Sequence, residues 1–237
     1  MRIWSLAWRT AFARKRLFAW NVAIPALLLT PVAVSAAAAP HRTAVFGVFI
    51  VFFATFGASI PTVRDARGGW LDTVFLTGYG RSRWFAETVC AGAILDLIQL
   101  LPVVAVLVWS AGGTSAADLA YLAGALLLAL VSANAIGPFI AAVVRSLAEA
   151  ALASAAVSLL LLHFSGFFRA PVDGWTRSVA SAMPYRPLRE GLAAVQTSGT
   201  IDGDPWVTAL VVAMIAVLVL LVTSRFWTRR FEWPYAG

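Results

Sequence analysis

The sequence predicts an all-α membrane protein with six transmembrane helices. Of its 237 residues, 61% are hydrophobic and only 12% are charged, whereas an average soluble domain has about 25% charged residues. Six apolar runs approach or exceed the length of about 20 residues that a helix needs to cross the hydrocarbon core of a bilayer. The charged residues stand mostly at the ends of these runs. Little chain is left for a separate soluble domain, so we expect a single transmembrane domain over residues 1–237.

The N-terminal residues 1–16 have the pattern of an amphipathic helix that precedes the first span. Trp4, Trp8 and Phe12 fall on one face of such a helix, and arginines occupy another face. A basic amphipathic helix of this kind lies in the membrane interface, so we expect it at the cytoplasmic surface. The alternative is a basic tail that only sets the orientation of the chain.

The apolar runs and the polar stretches between them divide the chain into consecutive segments. The predicted spans cover residues 17–39, 43–63, 88–111, 119–144, 150–164 and 207–224. The segments are an N-terminal helix (1–16), spans 1 and 2 (17–63), a cytoplasmic segment (64–87), spans 3 to 5 (88–164), an outer segment (165–206), span 6 (207–224) and a cytoplasmic tail (225–237).

The distribution of positive charge predicts the orientation of the spans. Six spans put both termini on one side, and 13 of the 18 lysines and arginines fall on that side, in the termini, in segment 64–87 and at Arg145. Loops rich in lysine and arginine stay in the cytoplasm. The abundance of arginine and alanine is typical of a GC-rich bacterial genome. We therefore expect a multi-pass protein of a bacterial cytoplasmic membrane with both termini in the cytoplasm.

Segment 64–87, RDARGGWLDTVFLTGYGRSRWFAE, is the longest charged and glycine-containing interruption in the first half of the chain. Its centre, WLDTVFL, predicts a short amphipathic helix, with Trp70 and Val74, and Leu71 and Phe75, at i, i+4 spacing. Glycines punctuate both ends of this helix. A short helix at the membrane surface indicates a docking site for a soluble partner, and the alternative is an ordinary cytoplasmic loop.

The outer segment, residues 165–206, is too long and too apolar for a simple loop. It contains two short helical patterns, WTRSVASAM, which follows Asp173 as a candidate N-cap, and PLREGLAAVQ. Neither is long enough to cross the bilayer. Irregular backbone at membrane depth is tolerated only where it is buried in protein or lines a wet cavity. We therefore expect a re-entrant helical hairpin, and the alternative is a loop that lies flat in the interface.

Polar residues within the predicted spans are candidates for a substrate path, because they are costly in a membrane and often functional. They are Asp96 and Gln99 in span 3, Asn134 in span 4 and His163 in span 5. The alternative for Gln99 and Asn134 is hydrogen bonding between helices. A carboxylate at Asp96 is expected to be protonated or paired with an arginine.

Motifs that the sequence lacks argue against other classes of function. It has no G-x-x-x-x-G-K-[ST] motif and therefore no P-loop of its own for ATP. Its one cysteine, Cys90, excludes an internal disulfide and a cysteine-based metal cluster. The net charge of +7 is spread over span ends and does not form one patch for nucleic acid. An intramembrane serine protease is disfavoured, because there is no G-x-S-G motif and there are only two histidines.

Two motifs stand in order along the chain. The first is Arg64-Asp65-Ala66-Arg67-Gly68-Gly69-Trp70-Leu71-Asp72, followed by Leu76-Thr77-Gly78 and Arg81. The second is Ser165-Gly166-Phe167-Phe168, Pro171 and Trp175, followed by Met183-Pro184-Tyr185, Leu188 and Arg189-Glu190-Gly191-Leu192. With the basic N-terminal helix, the whole chain resembles the ABC-2 type permeases, the six-span membrane subunits of type V ABC exporters. It departs from that pattern at Gly69, where the family often has Thr, and at Gly78, where it often has Pro.

The resemblance implies functional roles for both motifs. The first would be a coupling helix seated in a cleft of an ATP-binding subunit, with contributions from Arg64, Arg67, Gly68, Trp70, Leu71, Asp72, Phe75, Leu76 and Arg81. The arginines at its start would pair with acids of that subunit, and Leu71, Phe75 and Leu76 would fill its groove. The second motif would be an outer gate built from Ser165, Gly166, Phe167, Phe168, Pro171, Pro184, Tyr185, Glu190 and Gly191.

The resemblance also implies partners and a direction of transport. It implies a homodimer or heterodimer of permeases in membrane lipid, with two ATP-binding subunits that bind ATP and Mg, while this chain holds no cofactor. The expected cargo is a small hydrophobic compound, drug, antibiotic or peptide that leaves the cell by alternating access. The alternatives are export of a lipid-linked or polysaccharide substrate, or a non-transporting sensor or immunity subunit with the same fold.

Overall fold

The computed structural model describes residues 3–112, 114–197 and 206–232, and all regular secondary structure in these ranges is helical. In chain order the helices are α1 (Ile3–Ala13), α2 (Lys15–Ala33), α3 (Ala39–Arg67), α4 (Trp70–Leu76), α5 (Arg81–Ala111), α6 (Ala116–Val143), α7 (Leu147–Phe164), α8 (Gly174–Ala182), α9 (Arg186–Thr197) and α10 (Trp206–Trp227), followed by a 3-10 helix at Thr228–Glu232. Helices α2, α3, α5, α6, α7 and α10 are long and apolar enough to cross a membrane, which confirms the six predicted helices of that length. Residues 198–205 of the outer segment and 233–237 of the tail lie outside the described residues.

The helices extend further into segment 64–87 than the predicted spans. Helix α3 continues through Arg67, and α5 begins already at Arg81. Arginine and glutamate are good helix formers, so charge alone does not end a helix. The chain leaves the helical conformation only at glycine-containing turns, and Gly69 before α4 has a φ of +70°, in the left-handed region that glycine adopts without strain.

Helices α3 and α6 form the centre of the bundle. Gly137 of α6 lies so close to α3 that a Cβ added there would be 2.4 Å from the Cβ of Ala58. Beside this contact, the hydroxyls of Ser59 in α3 and Ser154 in α7 form a buried hydrogen bond of 2.7 Å. Small residues let membrane helices approach closely, and van der Waals packing then stabilises their association.

Both short helices of the predicted outer segment are present, and α9 packs along the first half of α3. Near the end of α9, the side-chain amide of Gln196 donates to the hydroxyl of Thr43 at 3.1 Å. Tyr185, just before α9 begins, is fully buried. Gly191 contacts α6, where a Cβ would lie 3.1 Å from the ring of Tyr121 and 3.3 Å from the backbone of Leu122. Helix α9 is therefore held between two of the long helices.

Candidate functional site

Helix α4 has seven residues, and its buried residue is Leu71. The side chain of Leu71 is only 1% exposed, although the helix lies at the end of the bundle. It belongs to an apolar cluster to which α1, α3, α5, α6, α7 and the 3-10 helix also contribute. We call six residues of this cluster the α4 cluster, namely Val63, Ala66, Leu71, Trp84, Phe85 and Phe231.

Aromatic rings connect the α4 cluster across three elements. The ring of Phe75 in α4 meets Trp84 of α5 edge to face, with ring centres 5.7 Å apart. Trp84 in turn meets Phe231 of the 3-10 helix edge to face at 5.8 Å. Aromatic pairs in this geometry contribute about 0.5–1.5 kcal/mol each beyond the area that they bury. The aromatic contacts therefore connect α4 to α5 and, through Trp84, to the 3-10 helix.

Arg81, the first residue of α5, also contacts α4. Its guanidinium carbon lies 4.7 Å from the centre of the Phe75 ring, within the range of a cation–π interaction. The same guanidinium donates to the hydroxyl of Thr228 at 3.3 Å. Asp72, in the first turn of α4, adds a favourable Coulomb interaction with Arg81. Arg81, one of the predicted coupling residues, therefore contacts other elements of this chain.

The two arginines at the end of α3 have different surroundings. The guanidinium of Arg67 donates to the backbone carbonyl of Arg145, in the turn between α6 and α7. Arg64 instead forms an exposed ion pair with its neighbour Asp65 at 3.2 Å. Exposed ion pairs contribute about 0–1 kcal/mol, so a partner's acid can replace Asp65 at little cost. Of these two arginines, Arg64 is the better candidate for an ion pair with another subunit.

The exposed surface of α4 is its C-terminal end. Leu76 is 87% exposed, and Thr73 and Thr77 are exposed as well. Of the three residues expected to fill a partner's groove, Leu71 is buried and Phe75 is half-buried within this chain, so Leu76 offers the largest exposed surface. That these residues contact a partner stays a prediction. The i, i+4 spacing of Leu71 and Phe75 does place them on one face, and the α4 cluster covers that face.

A pocket of about 490 Å³ lies between α4 and α1. It is lined by Ile3, Leu6, Trp70, Thr73, Val74, Thr77, Gly78, Tyr79, Gly80 and Arg83. Helix α1 carries the aromatic residues predicted for one face, and the ring centres of Trp4 and Trp8 are 6.0 Å apart. Trp70 lines this pocket together with residues of α1 and is half-buried.

Sequence reasoning missed Glu87, which connects α1 to α5. One carboxylate oxygen accepts the backbone N–H of Trp4 at 3.1 Å, and the other accepts the Nε–H of Arg83 at 2.9 Å. The i, i+4 spacing of Arg83 and Glu87 is a sequence signal for this ion pair. No sequence signal indicates the contact with Trp4, because that contact joins residues 83 positions apart.

The first predicted gate residues form a compact turn after α7. Ser165 ends the helix, and its hydroxyl donates to the carbonyl of Leu161 at 2.7 Å. Gly166 has a φ of +81°, which requires glycine in this turn. The ring of Phe167 fills the space beside Gly47 of α3, where a Cβ would come within 1.9 Å of it. The turn is therefore fixed to α3.

The remaining gate residues are divided between this turn and α9. Phe168 is exposed, and the ring of Pro171 lies beside the Gly166 turn. Pro184 precedes α9, and inside α9 the guanidinium of Arg186 and the carboxylate of Glu190 pair at 2.7 Å. The two parts of the predicted gate meet where α9 passes the turn.

The structure brings together two of the predicted path residues. The side-chain amide of Asn134 in α6 donates to the carboxylate of Asp96 in α5 at 2.7 Å, and both residues are buried. The partner of Asp96 is therefore an amide and not an arginine. Gln99 is buried one turn further along α5, whereas His163 is exposed at the end of α7. Within the described ranges, no group of three or more His, Cys, Asp or Glu residues could hold a metal ion.

Comparison with known proteins agrees with this architecture. The family model described as ABC-2 type transporter matches residues 1–197, which include five of the six long apolar helices together with α4, α8 and α9. No individual curated protein matches the chain with significance. The family match and the six apolar helices indicate a multi-pass membrane protein that is a component of a transporter. The match also confirms the resemblance that the two sequence motifs indicate: the chain belongs to the ABC-2 type transporter family.

Proposed function

We propose that this chain is the permease subunit of an ATP-driven exporter in a bacterial cytoplasmic membrane. The sequence has no P-loop, so the energy for transport comes from a separate ATP-binding subunit that holds ATP and Mg. Two permease chains and two such subunits form the transporter. The excess of lysine and arginine on one side supports an orientation with both termini and α4 in the cytoplasm.

The attachment of α4 to the bundle is the observation that carries this proposal. The inner face of α4 packs into a cluster shared with α3, α5 and the 3-10 helix, while Leu76 on its outer face is exposed. Arg67 extends the connection to the turn between α6 and α7. A force applied to the exposed end of α4 is therefore transmitted to several spans at once. Alternating access needs such a connection between the ATPase and the spans.

In this proposal, α8, α9 and the turn after α7 form the gate on the outer side. The packing of α9 along the first half of α3 supports this assignment, because that half is the outer half in the proposed orientation. Tyr185 is buried, and Phe167 fills the space beside Gly47, so the gate is part of the bundle and not a loose surface loop. Movement of α3 then shifts α4 and the gate together.

The substitution Leu76→Asp tests the docking of the ATP-binding subunit on α4. Because Leu76 is exposed, we expect folding to be unaffected. We expect the affinity for that subunit to fall about tenfold, which corresponds to a loss of about 1.4 kcal/mol of binding free energy at one interface residue. Binding is measured by titration of the purified subunits. Transport and vanadate-sensitive ATP turnover are measured in proteoliposomes at equal permease levels.

The matched control is Leu147→Asp at the start of α7. Leu147 is an exposed leucine on the same proposed side of the membrane, but it lies outside α4. We expect this variant to bind the ATP-binding subunit as the unaltered chain does. Equal loss of binding in both variants, or no loss in either, contradicts docking at α4.

Binding without any export would instead favour a non-transporting subunit. Leu71→Asp is unsuitable, since it buries a carboxylate inside the chain.

A further inference from the structure

Arg189 of α9 is a cation without an ion pair of its own among the described residues. Its side chain is partly buried and forms no hydrogen bond or ion pair with a described residue, whereas Arg186 and Glu190 on either side of it pair with each other. Burial lowers the pKa of Arg189; Glu190 offsets part of this effect and Arg186 adds to it. A guanidinium nevertheless remains protonated in proteins. The side chain is therefore a permanent cation, and the acid beside it, Glu190, is already paired with Arg186.

The guanidinium of Arg189 lies at the turn after α7. Its central carbon is 3.8 Å from the position that a Cβ would take on Gly166. The carbonyl oxygen of Arg169 and the ring of Pro171 border the same position at 3.5 Å and 3.2 Å. Because Gly166 has no side chain, the guanidinium can lie close against the turn. The turn and α9 thus place the guanidinium at the junction of the two halves of the proposed gate.

The stability of α9 does not explain an arginine at this position. Arg186 and Arg189 both lie in the first turn of α9, which contains no acidic residue. The N-terminal end of a helix carries a partial positive charge and favours acids over bases. A partly buried cation without an ion pair of its own also loses hydration free energy. An anion supplied from outside the chain would balance both effects.

We propose that Arg189 binds a phosphate or carboxylate group that belongs either to the transported compound or to an outer-leaflet lipid. The planar guanidinium presents N–H donors in a fork that matches such groups, and ionised hydrogen bonds of this kind are short and strong. The assignment to the cargo rests on the proposed export function and would make the cargo an amphipathic anion. Binding of the anionic group does not depend on that function.

The experiment measures anion binding by the purified full-length chain without any ATP-binding subunit. One arm titrates phosphatidylglycerol into phosphatidylcholine nanodiscs, and the other titrates soluble glycerol 3-phosphate. The variants are Arg189→Gln and Arg189→Lys, and the control is Arg177→Gln, which removes an exposed arginine of α8. We expect Arg189→Gln to weaken binding about tenfold in at least one arm, because the loss of one charge-assisted hydrogen bond reduces affinity by about that factor. Arg177→Gln should stay within about twofold.

Binding in the lipid arm alone identifies a lipid headgroup, and binding in both arms identifies a phosphate group in general. The inference is overturned if Arg189→Gln binds both probes as the unaltered chain does, or if Arg177→Gln loses as much affinity. Should Arg189→Gln fail to fold, Arg189→Lys keeps the charge but not the fork, and unchanged affinity in that variant overturns the inference. If binding depends on Arg189 but the protein shows no export, the proposed function is rejected and the anion-binding site is retained.

Discussion

Gly137 marks the place where α6 and α3 come closest. A Cβ on this residue would meet the Cβ of Ala58 at 2.4 Å and the backbone nitrogen of Ser59 at 2.9 Å, so neither neighbour is a flexible side chain that could move aside. Gly92 plays a similar part in α5, where it leaves room for the side chain of Asn134. At the scale of single residues, glycines, which have no side chain, determine how closely these helices pack.

The substitution Gly137→Ala is expected to destabilise the protein by about 1–3 kcal/mol, the usual cost of overpacking a tightly packed interior. The matched control is Gly57→Ala in α3, where a Cβ would make an ordinary contact of 3.7 Å with Asp96. Thermal unfolding of both variants in the same detergent measures the difference. Equal midpoints for the two variants would mean that α3 and α6 do not approach each other as described.

The hydrogen bond between Asp96 and Asn134 connects two whole helices, α5 and α6, inside the bundle. Removing Asn134 leaves the buried carboxyl of Asp96 without this hydrogen bond, and removing Asp96 leaves Asn134 only its hydrogen bond to the carbonyl of Leu130. Replacing both with apolar residues restores a uniform interior. Leu substitutions at both positions, singly and together, therefore form a double-mutant cycle. We expect the single changes to be non-additive by about 0.5–2 kcal/mol in thermal or denaturant unfolding. Additive effects would show that the pair does not connect the two helices.

Helix α4 shows what the sequence could and could not predict about an element. Its existence and limits followed from WLDTVFL between glycines, and the i, i+4 spacing placed Leu71 and Phe75 on one face. The direction of that face did not follow, because an apolar stripe looks the same whether it packs on the chain itself or on a partner. Two residues decide it: Trp84 lies in the next helix, whereas Phe231 is distant in the sequence.

At the scale of the whole molecule, the number of long helices was predictable from the sequence, because the bilayer sets the length and apolar composition that each span must have. A membrane-spanning segment must satisfy its backbone internally and cover about 30 Å, so composition and run length suffice to find it. The arrangement of those helices was not predictable, since the contacts that set it join remote small and polar residues. Examples are Gly137 with Ala58, and Gln196 with Thr43.

The central claim is that α4 is the cytoplasmic attachment point for the ATP-binding subunit. Its most direct test is the labelling of Leu76→Cys by a membrane-impermeant maleimide, in a Cys90→Ser background, with Leu147→Cys as the control. We expect both cysteines to react in inside-out vesicles. With the ATP-binding subunit at about ten times its Kd, the cysteine at position 76 should react about tenfold more slowly, while that at position 147 is unaffected. Labelling of position 76 only from the outside, or at the same rate with and without the subunit, would contradict the claim.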